Sequence, residues 1–220
     1  MIAVKYEKQG SSAFISHIDI LRHITRSIRR ADIDINYSQG YNPHMLIKMS
    51  APCPIGIKSR AEYFTLDTKV PAGEFITRYN TACVKDLTAV KAWNITKNPN
   101  FQGILRAADY SVRYNPGAEI IKDILNRKEF IIKYISKGVA KVMDVRALIL
   151  DLRQTDDCFM MRLSSGADTL RPDRLIEAIN AEYSTAINVT DIIKTEQYSL
   201  IDNELRSFDQ ILNDYEKAVD

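Results

Sequence analysis

The sequence predicts an α+β fold made of two tandem βαββαβ units and a C-terminal amphipathic helix. Two observations carry this. Apolar residues alternate in some stretches, as in strands, and recur every three or four positions in others, as on one helix face. The order in which these stretches follow one another over residues 1–95 then recurs over residues 104–200.

In the first unit, residues 2–7 alternate and form a strand. Residues 16–31 form a helix, with Ser16 as N-cap and Asp19 three positions on to complete a capping-box-like pair. Residues 46–51 and 62–67 are strand-like runs. Pro71 opens a second helix that ends near Cys83, and residues 87–93 supply a fourth strand. This order is the ferredoxin-like pattern. A break over residues 94–103 contains the turn signal Asn98-Pro99-Asn100.

The second unit runs as a strand at 107–114 and a helix at 118–126. A hairpin of 130–135 with 139–143 then turns around Lys137-Gly138, and another of 148–153 with 158–163 crosses Asp156-Asp157. A helix at 172–183 and a strand at 189–198 complete it. No repeat exists at the level of residues, so the duplication rests on element order. Residues 202–220 form the tail. Over 204–219, Leu205, Phe208, Leu212, Tyr215 and Val219 make one helical stripe, which packs on its own domain or docks to a partner protein.

Composition narrows the function classes. With 45% apolar and 26% charged residues, the chain has the make-up of an ordinary globular protein. No apolar run reaches the roughly 18 residues of a membrane span, and the charged, alternating start reads as a strand rather than a signal peptide. The three cysteines, Cys53, Cys83 and Cys158, are scattered and odd in number, which points to a reducing, cytoplasmic setting. No Cys-x-x-x-Cys-x-x-Cys run is present, so this chain does not ligate a radical-SAM iron–sulfur cluster by itself. No phosphate loop, dinucleotide fingerprint, His-Glu-x-x-His or nucleophile elbow appears, and no cofactor is expected. Net charge is only +2, but residues 1–60 carry nine basic against four acidic residues, which suggests that this part faces an anion.

Two constellations stand out. On the first helix, Asp19, Arg22, Arg26, Arg29 and Arg30 fall opposite the apolar sector, with His23 at the margin. The stripe is either a surface for phosphate or carboxylate or a solvated face partly neutralised by acids. His17, at the start of that helix, reads as a base, a ligand or a packed structural residue. Between the first helix and second strand lies Tyr37-Ser38-Gln39-Gly40-Tyr41-Asn42-Pro43-His44. Gly40 permits a positive φ and Asn42-Pro43 fixes a turn, so this is a shaped loop. Tyr37 and Tyr41 can stack on bases or pack on the helix. Glu62 can orient an arginine or cap a sheet edge, and Gly166 and Arg171-Pro172-Asp173 precede a helix whose N-terminus can hold an anion, or serve as ordinary capping.

Phe14-Ile15-Ser16-His17-Ile18-Asp19 with Arg29-Arg30-Ala31, the 37–44 loop, Gly56 and Ser59-x-x-Glu62-Tyr63 together resemble the radical-SAM-associated uncharacterised domain family. That domain occurs as a separate protein or fused behind a cobalamin-binding radical-SAM protein. The tight match covers about residues 4–67. Asp144-Val145-Arg146, Arg171-Pro172-Asp173 and Thr195-Glu196-Gln197-Tyr198 extend it loosely. Ala13, Tyr41 and Met45 depart from the pattern. The resemblance implies a radical-SAM partner and a role near RNA.

The expected function is therefore an accessory module presenting RNA or another phosphorylated substrate, with no catalysis of its own. Arg22, Arg26, Arg29 and Arg30 would meet the anion, while the 37–44 loop grips the part to be modified. The alternative is an endoribonuclease-like enzyme using His17 and His44 as acid and base. A metal site of His17, Asp19 and His44 is a third reading.

Overall fold

A computed structural model of the chain describes residues 1–136 and 138–218. Among these, six helices accompany a mostly antiparallel sheet, a mixed α/β architecture. Strand β1 is Ile2–Lys8, and helix α1, His17–Arg30, follows a 3-10 turn at Gly10–Phe14. Strands β2 (Ile47–Met49) and β3 (Lys58–Leu66), helix α2 (Ala72–Ala82) and strand β4 (Ala89–Asn94) complete the first half. The expected break holds a short helix, α3 (Phe101–Ile104), because Asn100 in the left-handed region starts a turn there. The second half runs β5 (Leu105–Val112), α4 (Ala118–Asn126), β6 (Ile131–Ser136), β7 (Val139–Asp144), β8 (Ile149–Thr155), β9 (Cys158–Ser164), α5 (Pro172–Tyr183) and β10 (Ile193–Ile201). Strand β11 (Glu204–Ser207) and helix α6 (Phe208–Lys217) end the described chain.

The main sheet has the order β4-β1-β3-β10-β5-β9-β8, with β2 beside β3 and β11 beside β10. Strand β10 joins the halves. It pairs in parallel with the start of β3 (Lys194 with Ser59) and antiparallel with β5 (Lys194 with Tyr110). Alternation along each strand divides its side chains between two layers. Ile2, Val4 and Tyr6 pack under α1 and α2, whereas Ala3 belongs to the cluster under α6. The second half buries Ala108, Tyr110 and Val112 with residues of α4 and α5. Strands β6 and β7 form a separate hairpin, on which Ile135 and Val142 are exposed. Its expected turn residue Lys137 lies outside the described residues.

Three elements depart from the sequence reading. Strand β3 begins at Lys58 rather than 62, so Glu62 is central in a strand flanked by β1 and β10, and buried, rather than capping an edge. The segment Val189–Asp191 is a 3-10 turn, and the last long strand starts only at Ile193. Residues 204–207 pair with β10 instead of opening the tail helix. That helix starts one residue after Ser207, whose side chain accepts from Gln210 N while Gln210 Oε1 accepts from Ser207 N, a complete capping box. Val219 of the expected stripe lies outside the described residues.

The tail helix covers its own sheet. Phe208, Ile211 and Leu212 are buried in the cluster that holds Tyr63, Trp93 and Phe101. Trp93 Nε1 donates to Asn213 Oδ1 at 2.8 Å, and the Tyr63 hydroxyl is 2.6 Å from Glu196 Oε1 and 2.7 Å from Asp209 Oδ1. Lys5 Nζ reaches the same two carboxylates at 2.8 and 3.0 Å. No helix among the described residues is long and apolar enough to cross a membrane.

Candidate functional site

A cavity of about 370 Å³ opens between the two halves, on the sheet face that carries α1, α2, α4 and α5. Three sequence features build it. The first is the start of α1, where Ser16 Oγ accepts from Asp19 N at 3.2 Å and donates to Asp19 Oδ2 at 2.7 Å. This cap fixes the helix start and places His17, its first residue, on the cavity wall. The second is the loop Ala51-Pro52-Cys53-Pro54-Ile55, whose two prolines leave few backbone donors. Lys8 Nζ holds it from beneath through the carbonyls of Cys53 (3.5 Å) and Pro54 (3.1 Å). The third is the start of α5. There Gly166 adopts φ +108°, and a Cβ would fall 2.3 Å from the Leu105 carbonyl oxygen, so only glycine lets the chain lie this close to β5.

The floor comes from β10. Its ladder shifts register between Lys194 and Glu196, the mark of an inserted residue. Lys194 and Gln197, three positions apart, consequently reach the same cavity, while Glu196 turns to Tyr63 and Lys5 on the other face. Lys194 Nζ sits 2.5 Å from Glu62 Oε1, both side chains being almost wholly buried. Glu62 Oε1 has no hydrogen-bond partner besides this charge contact. Gln197 Nε2 donates to the Ala61 carbonyl at 2.5 Å and to Ser50 Oγ at 3.3 Å. An amide nitrogen facing a carbonyl fixes which end is which. Gln197 Oε1 is then a buried acceptor without a partner among the described residues.

The electrostatics favour an anion. On the wall Lys194 is paired with Glu62 and Arg171 with Asp173, and a further cation, Lys8, lies behind the 51–55 loop. Arg171 pairs with Asp173 through Nε at 3.0 Å and Nη2 at 2.5 Å. Two helix N-termini border the space, those of α1 and α5, and the α5 start has no side-chain cap. Burial holds the Lys8 ammonium below its usual range, Glu62 and Lys194 having smaller, opposed effects. Burial likewise pushes the Cys53 thiol up to about 11, so it stays protonated and is no nucleophile at neutral pH. The arrangement can bind and orient. It offers two ion-paired cations, the start of α5 without a side-chain cap, and one buried acceptor.

The other expected residues lie elsewhere. Arg22, Arg26 and Arg29 are exposed along α1, Arg22 Nη1 donating to Asp19 Oδ1 at 2.9 Å. Arg30 instead caps α2, donating to the Ala82 carbonyl from Nε (3.1 Å) and Nη2 (2.7 Å). In the 37–44 loop, Tyr37 pairs with Met45 in an isolated bridge, and Gly40 takes φ +124°. Ser38 Oγ and His44 Nδ1 share a hydrogen bond of 2.9 Å, while Tyr41 and Asn42 point to solvent. His44 does not line the cavity with His17. Among the described residues no group of three or more His, Cys, Asp and Glu is placed to hold a metal ion, so His17, Asp19 and His44 do not assemble as one. Sequence reading passed over Lys8 and Lys194, and met Gln197 only inside a loosely matching string.

The Asp19 carboxyl is held below the usual carboxylate value, first by the Ser16 hydrogen bond and then by Arg22. A folded value below the unfolded one gives stability that is present above the unfolded value and lost as pH falls through the folded one. Asp19→Asn is expected to flatten the acid side of the stability curve, read as Tm between about pH 5 and pH 2. An unchanged slope would show that Asp19 does not hold the start of α1.

The chain is a mixed α/β protein with a cavity, walled in part by Lys194 and Arg171, between two halves of one mostly antiparallel sheet. The chain belongs to the family described as "Uncharacterized protein conserved in bacteria (DUF2344)", which matches residues 1–172. The match takes in α1, the 51–55 loop and the start of α5, while Lys194 and Gln197 lie beyond it. No curated protein matches the chain.

Proposed function

We propose that this protein is an accessory, substrate-binding module that presents RNA or another phosphorylated substrate to a radical-SAM enzyme. The observation that supports the reading is the cavity, where the starts of α1 and α5 and the ion-paired Lys194 and Arg171 stand beside the buried, unpartnered Gln197 Oε1. Arg22, Arg26 and Arg29, exposed on α1, supply a surface for phosphates outside it. The partner is proposed from the resemblance carried by residues 14–19, 29–31, 37–44 and 59–63. The strand orders β4-β1-β3-β2 and β10-β5-β9-β8 support a finer reading of the fold, two ferredoxin-like units side by side in one sheet.

RNA binding measured across a salt series tests the proposal. Phosphate contacts release counterions, so log K falls linearly with log salt, by about 0.7 per contact on single strands. Arg22→Ala combined with Arg26→Ala is expected to weaken binding and to reduce that slope by about 1.4. Affinity and slope unchanged in the double variant would defeat the surface role. His17 in the cavity wall favours a second reading, an endoribonuclease-like enzyme. Cleavage of RNA that is lost in His17→Ala would establish it, and intact RNA after incubation with wild-type protein would remove it.

A further inference from the structure

We infer that the cavity between α1 and α5 receives one everted nucleotide of a single strand, its base N–H donating to Gln197 Oε1 and its phosphodiester lying at the start of α5. The inference rests on the reading above and names the part of the substrate that is held.

Four observations lead to it. The cavity, about 370 Å³, is near the lower end of the roughly 300–1,000 Å³ of small-ligand sites, and so takes one nucleotide unit rather than a longer segment. Its walls supply apolar atoms from Pro52, Cys53, Ile55 and Ala108, and planar groups from His17 and Arg171, on which a base can lie. Gln197 is 1% exposed, and an acceptor buried without a donor is costly, so a ligand that brings an N–H or NH₂ is favoured. Every nucleobase carries such a donor. Lys194 and Arg171 are each paired with a carboxylate, so the wall suits the one negative charge of a phosphodiester better than the two of a terminal phosphate.

The geometry also says how a strand continues. His17 lines a second cavity, of about 240 Å³, with Lys48, Asn98, Asn100, Gln102 and four apolar side chains, Phe101 among them. His17 thus lines both spaces. A chain entering the first can run past His17 into the second, where amides and a lysine suit a sugar–phosphate backbone.

Binding of short single-stranded RNA tests the inference, with an analogue of equal length and charge that lacks one base as the comparison. Wild-type protein is expected to bind the complete strand about tenfold more tightly than the abasic one, the effect of one hydrogen bond to a buried acceptor together with lost contact on the base. In Gln197→Leu that difference should shrink to the part due to contact on the base, while Arg22→Ala with Arg26→Ala should weaken both strands alike. Equal wild-type affinity for the two strands overturns the inference and leaves the phosphate-binding surface standing. Failure of both strands to bind overturns the RNA reading itself. The wild-type comparison needs no variant, so it remains decisive if Gln197→Leu does not fold.

Discussion

Glu62→Ala is expected to cost about 3–5 kcal/mol of folding stability, the range for removing one partner of a buried ion pair. Glu62 and Lys194 are 3% and 3% exposed, and Lys8, 1% exposed, is on the same side of the sheet. The Glu62 carboxylate acts on both ammonium groups. Without it, two buried cations face each other with only backbone carbonyls and the thiol of Cys53 nearby. Urea unfolding of the single variant and of Glu62→Leu with Lys194→Met separates the causes. The double variant should recover most of the loss, because an apolar pair of similar volume leaves no charge unpaired. A single-variant loss below about 1 kcal/mol would mean the pair is solvated.

The same variant has a signature in pH. Lys8 already has a folded value below its unfolded one, so the charged form is penalised at low pH, and stability rises as pH climbs from the folded toward the unfolded value. Glu62 opposes this shift. Removing it lowers the folded value further and widens the window over which stability rises with pH.

Much of the fold was legible because local signals agreed with long-range packing. Pro172 opens α5 and α4 spans the expected 118–126, each set by a breaker and an apolar stripe within a few residues. The boundaries that moved were those decided by distant partners. Residues 204–207 satisfy the helical stripe, yet they pair with β10, and only the pattern Ser207-Phe208-Asp209-Gln210 marks where the helix begins. The site was less legible for the same reason. His17 could be placed at a helix start from Ser16 and Asp19. Lys194 and Gln197 could not be joined, since strict alternation puts residues three apart on opposite faces and only the irregularity in β10 unites them. Arg30 looked like part of an anion stripe because helix periodicity cannot reveal that the end of α2 lies within its reach.

The other large effect is expected at Asp109, on the sheet face away from the cavity. Its carboxylate accepts from Arg162 Nε at 2.7 Å and Nη2 at 2.8 Å, and from the Tyr198 hydroxyl at 2.9 Å. Arg162 also lies 4.4 Å over the Tyr198 ring, so one buried acid clasps β5, β9 and β10. The grip is visible in the partners: hydrogen bonding to Asp109 raises the Arg162 guanidinium value, and burial, then Asp109, pushes the Tyr198 hydroxyl up to about 12. Asp109→Ala leaves three donors unmet and a cation without its counter-charge. The expected loss is about 3 kcal/mol, toward the lower end for such pairs because the Arg162 side chain is 26% exposed. In a double-mutant cycle, Arg162→Ala should add little once Asp109 is gone, since most of the interaction is already lost. Strict additivity of the two losses would show that the pair is uncoupled. Because this clasp and the cavity lie on opposite faces, Asp109→Ala well below its Tm should bind a single strand as wild type does, whereas Gln197→Leu should show a reduced preference for a complete base.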